Sequence, residues 1–358
     1  MTKTICTTLS LLLFITVCSC TTTSPSDVQE EAQNDEIAVS EYFDYANEED
    51  TYTGGIRMIP IQTPKGEFKV WTKRVGNNPT MKVLLLHGGP GATHELYECF
   101  DGWMPKEGIE YIYYDQLGSY YSDQPSDTSL WTTERFVEEV EQVRKALDLD
   151  KDNFYLLGQS WGGILAMEYA LKYQDNLKGL VISNMMASIP EYNTYAHDVL
   201  APQLPADVRA EVQEIEANGD FGNPRYNELL MEHHYTAHVL RSPLEEWPES
   251  VNRCFAHLNP EVYIYMQGYS EFGITGDATL SDWNRKDDLS QITVPTLVIG
   301  SEYDTMDPKH MEWMAGEVEN GRYLYCPEGS HLSQYDDQKT YFSGLIDFIR
   351  DVDSGEFN

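Results

Sequence analysis

The chain has 358 residues, enough for one large domain or two modest ones with a well-buried core. It carries 59 acidic residues against 24 Lys and Arg, a formal charge of −35. With no basic cluster to neutralise phosphates or anionic headgroups, it is not expected to bind nucleic acid or to hold a membrane through a polybasic patch. Such a field favours an amine-bearing ligand and otherwise speaks to solubility.

The predicted elements begin after a processing segment. Lys3 gives a minimal positive start, Leu9 to Val17 is apolar but too short to span a bilayer, and Cys18-Ser19-Cys20 ends it. Val17-Cys18-Ser19-Cys20 resembles a bacterial lipoprotein box, which implies cleavage before Cys20 and lipid on its sulfur. The expectation is an exported lipoprotein of the cell envelope, held to the membrane by that anchor alone. From Thr21 to about Asp50 the composition turns to Thr, Ser, Pro, Gln, Asn and acids, with no Lys or Arg between Lys3 and Arg57. Such a stretch reads as a disordered tether, residues 20–50. Without the leader, Cys99, Cys254 and Cys326 remain beside Cys20. They show no framework spacing, so at most one disulfide is expected.

Ile56 to Thr63 and Phe68 to Val75 read as a hairpin turned at Pro64-Lys65-Gly66. Met81 to Leu86 is an almost wholly apolar strand running into His87-Gly-Gly-Pro-Gly91. That loop lacks the Lys-Ser/Thr ending of a phosphate loop, and its bare amides suit a reacting carbonyl instead. Ile109 to Tyr114 is a strand ending in Asp115-Gln116-Leu117-Gly118. Phe136, Val140, Val143 and Leu147 fall on one face of an amphipathic helix. Phe154 to Leu157 is a short buried-type strand, Gly158-Gln-Ser160-Trp-Gly162 follows, and helical spacing sets in from Gly163. Strand, sharp turn and helix are the setting of a nucleophile elbow, in which Ser160 stands exposed above a sheet.

Gly179 to Ser183 is the next strand, and near Met185 the rhythm breaks. From Pro190 to about Asp288 there are helix-like stretches, aromatics and prolines but no strand pair, as in an inserted helical cap. Alternation resumes with Thr296 to Ile299, then Met311 to Val318, Arg322 to Tyr325 and a last helix from about Lys339 to Val352. The pattern predicts an α/β fold, a mostly parallel sheet with helices on both faces. The expected division is 1–19 leader, 20–50 tether, 51–187 and 289–358 catalytic core, and 188–288 cap.

A nucleophilic serine needs a base, and the base needs a carboxylate to fix its tautomer; the expected chain order is Ser, acid, His. Glu302, Asp304 and Asp307 compete in the loop after Thr296 to Ile299. Asp304 suits the turn just past the strand, whereas Asp307 before Pro308 has the position of a helix initiator. Only His310 and His331 follow. His310 opens a helix and reads as a solvated surface residue; His331 lies in a loop directly after strand Arg322 to Tyr325, where a base belongs. His234 and His238 stand i, i+4 beside Glu232, but without His-Glu-x-x-His or a third ligand they read as cap-helix residues. Neither a metal nor another cofactor is expected.

Taken together, these residues resemble the proline iminopeptidase (prolyl aminopeptidase) family of α/β-hydrolases over roughly residues 54–350. The resemblance rests on His87-Gly-Gly-Pro-Gly91, Asp115-Gln-x-Gly118 with Ser122, Gly158-x-Ser160-Trp-Gly-Gly163, and Gly-x-Tyr-Ser-Glu271-Phe before Asp282-Trp283. It implies the α/β-hydrolase fold and a serine hydrolase that releases an N-terminal residue, preferably proline, from peptides with a free N-terminus. It places Ser160, Asp304 and His331 on the triad positions, the amides of Gly89 and Trp161 at the oxyanion, and Glu271 on the substrate amine. Aromatics of the cap are expected to wall the first-residue pocket. Two positions depart from the family: Tyr120 stands where a second glycine is usual, and Thr305 where some members carry a second amine-binding Glu. Amidase or esterase chemistry, and a lipid-anchored binding protein on an inactive hydrolase fold, are the competing readings. A dehalogenase or epoxide hydrolase would need Asp in place of Ser160.

Overall fold

A computed structural model of the chain describes residues 55–357. The expected leader, Cys20 and the tether lie outside them. Eight strands form one sheet: β1 (Ile56–Thr63), β2 (Gly66–Val75), β3 (Lys82–Leu86), β4 (Glu110–Asp115), β5 (Phe154–Gln159), β6 (Gly179–Ser183), β7 (Thr296–Ser301) and β8 (Gly321–Cys326). Their order is β1-β2-β4-β3-β5-β6-β7-β8. β1 and β2 pair antiparallel with Thr63 opposite Gly66, so the chain turns across Pro64 and Lys65. β2 is also antiparallel to β4, and every later pairing is parallel.

The period-two geometry of a strand divides the apolar runs between two cores. Leu84, Leu86, Phe154 and Leu156 pack on one face against Phe136, Val140 and Val143 of helix Thr133–Ala146, Ile164 and Leu165 of helix Trp161–Tyr173, and Met311 and Met314 of helix Pro308–Glu317. Val83, Leu85, Tyr155 and Leu157 pack on the other face against Tyr341, Phe342, Leu345 and Phe348 of helix Gln338–Ser354. A strand covered on both faces has no solvent side to mark with polar residues, which is why Val83 to Leu86 of β3 and Phe154 to Leu157 of β5 run without polar alternation.

The strand order reverses around β3, with β4 on one side and β5 on the other. Loops leaving the carboxyl ends of strands part at such a point and open a crevice. The His87–Gly91 loop leaves β3 there, and Ser160 leaves β5 beside it. Above this edge, between Ser183 and Thr296, the chain leaves the sheet and forms helices that include Ala206–Ala217, Pro224–Leu230, Glu249–His257 and Pro260–Met266. A bridge between Ser188 and Asn284 closes the neck of the excursion. Its apolar cluster, with Val208, Val212, Leu229 and Val251, continues into Ala92, Leu96 and Leu332 of the core loops.

Candidate active site

Ser160 sits between β5 and its helix with φ 56° and ψ −127°, a conformation in which a non-glycine residue is strained. Two things hold it there. Its amide donates to the Ser183 carbonyl of β6 at 3.1 Å, and the neighbouring glycines allow a turn this tight. A Cβ on Gly158 would lie 1.9 Å from the Gly162 carbonyl oxygen, and one on Gly88 would lie 3.0 Å from the Ser160 Cβ. The oxyanion-type loop and the serine turn therefore touch backbone to side chain. Trp161 supplies the first amide of the following helix, one that has no acceptor inside the helix.

His331 is carried by the loop after β8, and its Nδ1–H donates to Asp304 Oδ1 at 2.8 Å. Of the three competing acids, only Asp304 meets the imidazole. Glu302 accepts from the Tyr325 hydroxyl, and the Asp307 side chain accepts from the Lys309 amide and caps helix Pro308–Glu317. Burial opposes charge on His331, but the Asp304 carboxylate and its hydrogen bond, with Glu271 and Asp336 further off, outweigh it and raise the ring above its ordinary pKa. Asp304 itself is fully buried and well supplied with donors: the Met306 amide at 3.1 Å on Oδ1 and Asn184 Nδ2 at 2.7 Å on Oδ2.

Ser160 and His331 line one cavity of about 40 Å³, together with Gly88, Gly89, Gln159 and Glu271. No direct hydrogen bond joins the serine hydroxyl to the imidazole here; contacts of this kind commonly tighten only with substrate bound. A larger open groove of about 740 Å³ runs past His238, Arg241 and Tyr303. It contains neither Ser160 nor His331.

Glu271 is the one carboxylate among the residues lining that cavity. Its backbone and side chain are clamped: the Tyr263 hydroxyl donates to Oε1 at 2.6 Å, the Tyr192 hydroxyl to the carbonyl at 2.7 Å, and His234 Nε2–H to the same carbonyl at 3.1 Å. The Glu271 amide in turn donates to the Tyr235 hydroxyl at 2.9 Å. Burial raises the Glu271 pKa above its ordinary value, while His331 and the Tyr263 bond pull the other way.

Two expectations need correction. Of the cap's aromatics only Phe255 lines the pocket, and its apolar walls are otherwise aliphatic: Leu96, Val239, Leu258 and Leu332. Tyr192, Tyr235 and Tyr263 stand behind Glu271 instead, because their hydroxyls are needed to satisfy its buried backbone and carboxylate. His310 is not solvated either. It is buried, its Nε2 accepts from the Ala187 amide at 3.1 Å and its Nδ1 meets Glu191 at 2.9 Å, both at the start of the cap.

A family model for the alpha/beta hydrolase fold matches residues 82–338. A proline iminopeptidase of Flavobacterium johnsoniae is 60% identical over 301 residues, which is 84% of this chain and 100% of that protein. The proline iminopeptidase of Elizabethkingia meningoseptica is 60% identical over the same shares of the two chains. The crystal structure of the Mycobacterium smegmatis proline iminopeptidase superposes with a TM-score of 0.74 at 30% identity, covering 84% of this chain and 99% of that one. The chain belongs to the proline iminopeptidase family.

Within an α/β-hydrolase of this family, several motif residues turn out to be scaffolding. Asp115 is buried and accepts from the His94 amide at 2.8 Å and the His94 ring at 2.9 Å, while Ser122 Oγ donates to the Asp115 carbonyl at 2.5 Å. The Gln116 amide donates to His87 Nε2 at 3.0 Å, and Gln116 Oε1 accepts from the Trp161 indole at 2.9 Å. Burial pushes the His87 pKa down to about 4, so the ring is neutral. With Nε2 accepting, its Nδ1–H donates to the Gly88 carbonyl at 2.9 Å. Tyr120, at the unusual position, stacks on His257 of the cap with ring centroids 3.9 Å apart. His234 is packed beside Phe272, and burial lowers its pKa to about 3.

Asn184 belongs to none of the motifs described above. It follows β6 with φ 52°, and besides Asp304 its Nδ2 donates to Ser301 Oγ at 2.9 Å and the Ser330 carbonyl at 3.1 Å. Its Oδ1 accepts from Ser183 and Ser333 at 2.8 and 3.0 Å. An Asn at the carboxyl end of a central strand was the available signal. Gln159, whose Nε2 donates to the His331 carbonyl at 3.0 Å, was equally silent.

Proposed function

We propose that the chain is a serine aminopeptidase that releases N-terminal residues, preferably proline, from peptides through an acyl-enzyme. The observation that carries this reading is Glu271, a carboxylate facing the same small cavity as Ser160 and the Asp304-held His331. Ser160 Oγ attacks the carbonyl carbon of the first residue while His331 Nε2, the ring nitrogen not taken by Asp304, receives the hydroxyl proton. The Gly89 and Trp161 amides hold the oxyanion; losing one such donor typically costs about 10²–10³ in rate. His331 then gives its proton to the leaving amine, the peptide bond breaks, and water repeats the sequence on the ester. Glu271 pairs with the substrate's ammonium at the closed end of the cavity. An internal peptide bond brings no such charge, so cleavage is confined to the first residue.

The test is a panel of prolyl, alanyl and leucyl anilides beside p-nitrophenyl esters. Prolyl anilide should be turned over fastest, Ser160→Ala should abolish turnover with the fold intact, and a fluorophosphonate should label only the Ser160 protein. Undiminished cleavage by Ser160→Ala, or esters preferred to every anilide, would overturn the reading. The Val17–Cys20 pattern supports export and lipid attachment at Cys20 as a further part of it; an unmodified Cys20 in the mass of the mature protein counts against that part.

A further inference from the structure

Thr305 stands where the family resemblance implies a second amine-binding Glu in some members, yet it is absent from the residues lining the cavity and is fully buried. A buried hydroxyl has to find partners. Those of Thr305 are both in the proposed triad: its Oγ lies 3.2 Å from His331 Nδ1 and 3.4 Å from Asp304 Oδ1. A hydroxyl is donor and acceptor at once. It donates to the carboxylate and takes a share of the Nδ1–H that the imidazole directs at Asp304.

We infer that Thr305 is a positioning residue for His331, its hydroxyl bridging the imidazole and the Asp304 carboxylate so that the ring cannot swing out of plane. Nδ1 keeps its proton whether the imidazole is neutral or protonated, so the bridge persists through the proton transfers at Nε2. The β-branched side chain has few χ1 choices, which fixes the direction of the hydroxyl. The same placement leaves Glu271 as the single acid reading the amine. Position 305 thus supports catalysis from behind the base and makes no contact with substrate.

The inference rests on the aminopeptidase reading, and the experiment separates the two. Turnover of prolyl anilide by the wild type and its loss in Ser160→Ala test the reading. Thr305→Val and Thr305→Ser, compared with the wild type, test the bridge. Valine keeps the shape and removes the hydroxyl. Its kcat should fall roughly 3- to 10-fold, the share of one hydrogen bond, with KM and the melting temperature unchanged, and the rate of fluorophosphonate labelling should fall by the same factor. Serine should restore most of the loss. The inference is overturned if Thr305→Val keeps kcat within twofold of wild type, if KM rises as much as kcat falls, or if Thr305→Ser is as impaired as the valine variant. Should valine fail to fold, Thr305→Ala is scored by the same criteria.

Discussion

Replacing Glu271 by Gln isolates the charge proposed to confine cleavage to the first residue. Glutamine keeps the length of the side chain and an oxygen to accept from the Tyr263 hydroxyl, so the tyrosine clamp survives. What disappears is the attraction between the carboxylate and the substrate's ammonium. At about 4 Å and an effective dielectric of about 20, that attraction is about 4 kcal/mol. The hydration both groups give up offsets part of it, and hydrogen bonds to charged groups net about 1.5–3 kcal/mol. At about 1.4 kcal/mol per decade, kcat/KM for prolyl anilide should fall by about 10- to 150-fold. N-acetylprolyl anilide carries no ammonium, and its slower hydrolysis should change less than about threefold, since nothing it touches has lost a charge. The assay is steady-state kcat/KM for the two anilides on wild type and variant. Equal losses on both would refute the argument, because they would mean that Glu271 supports the fold of the pocket and not the recognition of the amine.

Asn184→Gly tolerates the left-handed backbone of that position but strips a donor from the buried Asp304 carboxylate. An unsatisfied buried acceptor costs about 1–3 kcal/mol, so kcat should fall about tenfold and the melting temperature by several degrees; if neither moves in kinetic and thermal assays, the Asn184 bridge is idle. The pH dependence follows from the raised pKa of His331. The ring must be neutral to accept the serine proton, so kcat should rise as pH climbs through a value above the ordinary 6.5 of histidine. Asp304→Asn removes the charge that raises it, and the residual activity should reach its plateau at lower pH; a pH–rate profile that moves to higher pH contradicts the assignment.

Much of this was legible in the chain because it is local. Apolar runs of strand length, the helical spacing of Phe136, Val140 and Val143, and the glycines around Ser160 each report on neighbours a few residues away. The choice among Glu302, Asp304 and Asp307 was half local: Asp307 before Pro308 carries the mark of a helix cap, but only the sheet brings Asp304 to an imidazole 27 residues later. Asn184 and Gln159 left no mark, since each acts across a long sequence separation, 120 residues for Asn184 and Asp304 and 172 for Gln159 and His331; Thr305 stood out only as a departure from the family, not for what its hydroxyl touches. His310 misled for the same reason. Its place at the start of a helix suggests solvent, and the Ala187 amide and Glu191 carboxylate that it meets lie more than a hundred residues earlier. The tyrosines of the cap were visible as pocket-grade aromatics, but their hydroxyls, bound to Glu271, decide which way they face.

The loop bearing His331 is stitched to the cap and not only to the sheet. The His331 and Leu332 amides donate to the carbonyls of His238 and Val239 at 3.0 and 2.9 Å, and Ser330 Oγ reaches the Val239 carbonyl at 2.9 Å. Val239 and Leu332 also line the cavity that Ser160 and Glu271 face. The imidazole is thus tied to the cap as well as to the sheet, and a shift of the cap would carry the His331 backbone with it.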